Sequence, residues 1–171
     1  MKMIPRVLIL VFFLLACGEK QGESVSGGIQ WMDYESGVAL AKSEGKPVLI
    51  DFWTSWCHWC KVLDEETYSQ KIVQDRLAES FVAIKVNAES KDAQGEGEEA
   101  KSGVELARQY NVKSYPTTWF LDSEGKPLAP VPGFRKAEEF AVILDYVSTG
   151  AYRDTGFQEY MSQNQDSGES Q

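Results

Sequence analysis

The 171-residue chain is 43% hydrophobic, with five Trp, seven Tyr and eight Phe, enough to build one core in ~120 residues. Its 17 Lys and Arg against 26 Asp and Glu leave a formal charge of −9, which argues against a nucleic-acid partner by phosphate repulsion. The single histidine, His58, excludes a multi-histidine metal centre. Residues 1–16 read as a signal peptide. Lys2 and Arg6 supply a positive start, and Val7–Leu15 is an apolar run too short for a bilayer span of ~20 residues. Residues 17–28, rich in Gly, Ser, Glu and Gln, read as a flexible tether, and the polar 161–171 as a disordered tail.

Between them, residues 29–160 read as one domain, opening with a short edge strand over Ile29–Trp31. Asp33 is the N-cap expected for a helix over Tyr34–Glu44, which Gly45 and Pro47 stop. Val48–Thr54 is a short apolar run of the kind a buried central strand shows. A helical pattern covers Cys57–Tyr68 and resumes over Ile72–Glu79, and Phe81–Val86 alternates into another strand. The acidic stretch 88–103 reads as an inserted, solvated loop. Val104–Tyr110 is a short helix, and Thr117–Leu121 and Leu128–Val131 are strands joined by a turn with Gly125 at positive φ. Ala137–Val147 closes the domain as an amphipathic helix, with Phe140, Ile143, Leu144 and Val147 on one stripe. The order β-α-β-α-β-α-β-β-α predicts an α/β fold with a central mixed sheet flanked by helices.

The sequence Trp56-Cys57-His58-Trp59-Cys60 follows the buried strand and opens a helix. Unpaired N–H groups and the dipole at a helix start stabilise a thiolate, the attacking form of cysteine. Cys57 is therefore the candidate nucleophile, and Cys60, one turn on, the resolving thiol. A C-x-x-C pair is also half of a zinc site, but zinc takes four ligands and only His58 stands nearby, between the cysteines. A static structural disulfide stays open, although so short a loop gains little closure entropy.

These residues carry a family resemblance. Val48-Leu49-Ile50-Asp51-Phe52-Trp53 followed by Trp56-Cys57 is similar to the strand-to-active-site segment of the thioredoxin family. Lys85-Val86-Asn87, Tyr115-Pro116-Thr117 and Gly133 resemble its next central strand, its cis-proline loop and the glycine after its terminal hairpin. The resemblance spans about Val48–Val147 and implies the thioredoxin-like fold. It also implies roles. Asp51 would be the buried carboxylate that relays the proton of Cys60, and Lys85 the lysine that pairs with it. Pro116 would be the cis-proline facing the dithiol, leaving the Tyr115 backbone free for an extended substrate segment. Three positions depart from the pattern. His58 and Trp59 replace the familiar Gly-Pro, and Glu65 stands where the family has a kink proline, so a straighter active-site helix is expected. Of Trp53, Trp56 and Trp59, Trp59 is expected to be the most exposed.

The leader ends in Leu14-Leu15-Ala16-Cys17, which resembles the lipobox of bacterial lipoproteins. The resemblance implies lipidation of Cys17 and a domain tethered to a membrane outside the cytoplasm, in the periplasm of a Gram-negative cell. It also leaves only Cys57 and Cys60 to pair. Together the two resemblances imply an exported, monomeric thiol–disulfide oxidoreductase that reduces protein disulfides without a cofactor. Its electrons would come from a membrane-embedded thiol reductase. The rival readings are a chaperone or cytochrome-assembly module that binds without turnover, and a carrier of a soft metal on the two thiolates.

Overall fold

A computed structural model describes residues 28–96 and 100–165. The expected leader, Cys17 and the tether up to residue 27 lie outside the described residues, as do 166–171 at the expected tail.

In chain order the elements are β1 (Trp31–Met32), α1 (Tyr34–Glu44), β2 (Val48–Trp53) and α2 (His58–Leu63), which runs into a π turn at Asp64–Tyr68. There follow α3 (Lys71–Ser80), β3 (Val82–Asn87), α4 (Gly103–Gln109), β4 (Thr117–Leu121), β5 (Pro127–Pro132) and α5 (Ala137–Ser148). A 3₁₀ turn (Ala151–Arg153) and α6 (Phe157–Gln165) close the described chain. The five strands form one mixed sheet in the order β1-β3-β2-β4-β5. β1 and β2 run parallel to β3, while β4 is antiparallel to both β2 and β5. This is the thioredoxin-like α/β architecture.

Local chemistry explains the boundaries. Asp33 accepts the Ser36 N–H to start α1, and Gly45 in the left-handed region (φ 67°) ends it. β2 is buried on both faces because it is the central strand, with helices above and below. Along it Val48, Ile50 and Phe52 face a core completed by Ala41 of α1 and Leu106 of α4. Leu49 faces the opposite core, with Leu63, Val73, Leu77, Phe140 and Leu144 from the helices of the other layer. By the same alternation Asp51 falls on the Leu49 side, beneath α2. β5 carries Pro127, Pro130 and Pro132, tolerated because it is an edge strand with no outer partner.

Four expectations change. The edge strand lies at Trp31–Met32 rather than starting at Ile29. The active-site helix does not run on as a straight α-helix. With no proline to interrupt it, its ladder instead widens at Asp64–Tyr68, where the Ser69 N–H bonds the Asp64 carbonyl. That extra residue lets Thr67 and Tyr68 both be buried while Asp64 keeps its carboxylate toward Lys85. The 88–103 stretch is tied down where it is described. Ala88 is buried, Ala93 bridges Ser102, and the Gln94 carbonyl accepts the Glu35 N–H at the start of α1. Finally, α6 carries ordered chain through Gln165, past the expected end at 160, with Phe157 and Tyr160 packed against Tyr146.

Candidate active site

Cys57 is the N-cap of α2. Its extended backbone (ψ 104°) turns the chain into the helix, and its Sγ accepts the Cys60 N–H at 3.1 Å. Sγ of Cys57 and Sγ of Cys60 are bonded to each other at 2.12 Å, with 5.3 Å between the Cα atoms. Both cysteines are buried, 5% and 4% exposed. The side chains around them are not. Trp56 is 70% exposed and Trp59 55%, so Trp56 and not Trp59 is the more open tryptophan. It stands before the N-cap, outside the helix, and among the described residues one aromatic ring lies beside it.

That ring is Tyr115, met edge-on at 5.8 Å between centroids, while Trp59 lies against Phe134 at 5.8 Å. The two contacts bring the segments around Pro116 and Gly133 up to the dithiol. The Tyr115–Pro116 peptide bond is cis. The Pro116 carbonyl accepts the Gly133 N–H at 2.8 Å, and Gly133 sits at φ 78°, where glycine is unstrained.

β2, the strand that leads to the dithiol, and its parallel neighbour β3 place Asp51 and Lys85 opposite each other. Asp51 is 2% exposed, and burial pushes its carboxyl up to about 7, partly opposed by Lys85 and reinforced by Asp64. Lys85 Nζ lies 3.6 Å from Asp51 Oδ2 and 2.5 Å from Asp64 Oδ1. The ammonium also sits over aromatic rings, 4.9 Å from the centroid of Trp31 and 5.8 Å from that of Tyr68. Among the described residues, Asp51 Oδ1 and Thr54 Oγ1 are buried with no hydrogen-bond partner. A carboxyl of this kind is partly ionised near neutral pH and can both accept and return a proton there.

The structure therefore joins Cys57 to Cys60, pairs Asp51 with Lys85 on the adjoining strands, and sets Trp56, next to Cys57, against Tyr115, next to Pro116, while Cys17 lies outside the described residues. Sequence reasoning missed three residues that touch this site. Asp64 stands four residues after Cys60, a helical spacing that marks the same face and offered the signal. Trp31 and Tyr68 close over Lys85 from a two-residue strand and from the π turn, and neither placement has a signature in the sequence. Among the described residues no group of three or more His, Cys, Asp or Glu is arranged to hold a metal ion.

Residues 34–148 match the family model described as a thioredoxin-like domain. The chain belongs to the thioredoxin-like family. Over 112 residues, 64% of the chain, it is 37% identical to the thiol:disulfide interchange protein DsbD of Escherichia coli K12. That match spans only 18% of the DsbD sequence. Among solved structures it is similar to a thioredoxin from Thermus thermophilus, with 28% identity and a TM-score of 0.59, covering 70% of this chain and 87% of that one. The reduced C-terminal domain of Neisseria meningitidis DsbD gives 27% identity and a TM-score of 0.50, covering 65% and 90%. The protein thus carries a domain of the thiol–disulfide oxidoreductase kind, with its C-x-x-C pair within bonding distance.

Proposed function

We propose that the protein is a membrane-tethered, extracytoplasmic reductase of protein disulfides. The observation that carries this reading is the bonded Cys57–Cys60 pair at a helix start, following a strand that holds Asp51, whose carboxyl burial pushes up to about 7. In the reduced protein the Cys57 thiolate attacks one sulfur of a substrate disulfide. A mixed disulfide forms, and the first substrate sulfur leaves as a thiolate that takes up a proton. Cys60 then gives its proton to Asp51 and attacks Cys57 Sγ. The second substrate thiol leaves, and the Cys57–Cys60 disulfide remains. Two electrons have passed to the substrate.

Lys85, paired with Asp51 on one side and with Asp64 on the other, places a cation beside the carboxylate that forms at Asp51. Asp64 is 44% exposed against 2% for Asp51, so the three groups lead from the buried carboxyl towards solvent. A membrane-embedded thiol reductase would return electrons to the disulfide, and a lipid on Cys17 would keep the domain near it, as a monomer. No helix of the described residues is long and apolar enough to cross a membrane.

Insulin reduction with the full chain tests the reading. The wild type should turn over, and Cys57→Ser should lose at least about a thousandfold in rate, the scale expected when a nucleophile is removed. Unchanged turnover in Cys57→Ser would overturn it.

A further inference from the structure

Lys85 carries the cation that faces Asp51, and its flexible four-carbon stem does not by itself fix where that charge sits. Asp64, 44% exposed, lies 2.5 Å from the ammonium and draws it towards solvent, while the buried Asp51 lies at 3.6 Å. A lysine so placed ordinarily snorkels, keeping its head in water. Here the side chain is only 20% exposed. Three rings account for that. Nζ lies 4.9 Å from the centroid of Trp31, 5.8 Å from that of Tyr68 and 5.9 Å from that of Trp53.

The walls come from distant parts of the chain, and the register of the sheet assembles them. Thr118, Asp51 and Lys85 stand in one row across β4, β2 and β3. Trp31 of β1 pairs with Ala83, two residues before Lys85 and so on the same face of the sheet. Trp53, two residues after Asp51, shares that face. Tyr68 enters from the π turn and crosses the row. Its hydroxyl meets Thr118 Oγ1 at 3.3 Å, and its ring meets Trp31 edge-on at 5.0 Å. Phe140 of α5 backs the Tyr68 ring at 5.5 Å. Trp31 is thus held in a packed array of rings, although its own strand is two residues long.

We infer that Trp31 and Tyr68 are positioning residues: with Trp53 they form an aromatic box that keeps the Lys85 ammonium beside Asp51 instead of letting it follow Asp64 into water. Ring faces attract a cation through their quadrupoles and, unlike a further carboxylate, add no charge that would oppose ionisation of Asp51. The groups facing Asp51 are Lys85 from β3 and Asp64 and Tyr68 from the π turn, and the box sets how close the one cation among them stays. The inference rests on the proton-relay role given to Asp51 in the oxidoreductase reading.

Infrared titration of the Asp51 carboxyl in the oxidised full chain, with Asp51→Asn to assign the band, tests the box without turnover. Trp31→Leu keeps an apolar side chain and removes the ring. The midpoint should rise by about one pH unit as the cation moves away, within the range an opposite charge supplies. Trp31→Phe retains a ring face and should restore it. Looser packing alone would admit water and move the midpoint down, so a downward or absent shift in Trp31→Leu overturns the inference. Trp31→Met, whose flexible thioether fills the same space, reads the same sign should the leucine variant fail to fold. Lys85→Met should raise the midpoint by itself, and adding Trp31→Leu to it should change nothing more. A further full rise in that double variant also overturns the box. In insulin reduction the rising limb of the pH profile should move up with the carboxyl. A carboxyl that moves while the limb stays fixed upholds the box and overturns the proton role of Asp51, so the two readings fail separately.

Discussion

The two faces of β2 make opposite use of the same burial. On the face toward α1 and α4, Val48, Ile50 and Phe52 are fully buried among apolar partners, and burial stabilises them at every pH. On the face toward α2, one position away, Asp51 is equally enclosed and shares its surroundings with Lys85 and Asp64. Burying a carboxyl there costs stability whenever it ionises, and that cost is what brings its titration to the pH at which thiols exchange protons. One strand therefore supplies both the rigidity of the fold and a group that is held in an unfavourable state. The lesson is that a functional residue in this protein is recognised by pH-dependent stability, and a packing residue by its absence.

Ile50→Ala should have the largest effect, a loss of about 4 kcal/mol from the cavity it leaves. Urea unfolding at pH 5 and at pH 8.5 should give the same loss, and a marked difference between them would break the contrast between the faces. Asp51→Asn should act in the opposite direction. The folded carboxyl is raised from 3.8 to about 7, so the folded state binds the extra proton between those values. Its contribution is fully present below pH 4 and is lost as pH rises through 7. The variant escapes that loss and should be more stable than the wild type by up to about 4 kcal/mol at pH 8.5, with no gain near pH 4. It should also slow the step in which Cys60 resolves the mixed disulfide. A gain that persists at pH 4 would assign Asp51 to packing. Asp64→Asn should have the smallest effect. The negative charge of Asp64 raises the Asp51 carboxyl, so its removal should lower the Asp51 midpoint in an infrared carboxyl titration. An upward shift would mean that Asp64 acts chiefly by holding Lys85 beside Asp51.

Much of this was legible residue by residue. The limits of α1 and β4 emerge at the positions their capping and alternation predict, because Asp33, Gly45 and the Thr117–Leu121 pattern act through neighbours in the chain. Cys57 and Cys60 are three apart, and their meeting requires only the helix they open. Asp64 was within reach of the same helical spacing. Trp31 was not, because it reaches the site from a segment whose direction depends on its pairing with β3. The π turn was equally hidden. It depends on burying Thr67 and Tyr68 together while Asp64 pairs with Lys85, a demand set by partners distant in sequence.

What the sequence determined by itself was local: the dithiol at a helix start, the apolar central strand with an acid at its fourth position, and the order of helices and strands. Hydrogen bonds and side-chain spacing within a dozen residues are enough for that. The tertiary structure alone decided the environment of those groups. It set Asp51 against Lys85 by parallel register, raised the carboxyl by enclosing it, and left Trp56 rather than Trp59 the more exposed beside the cysteines. Desolvation and exposure depend on everything that surrounds a group, and those surroundings come from the whole chain.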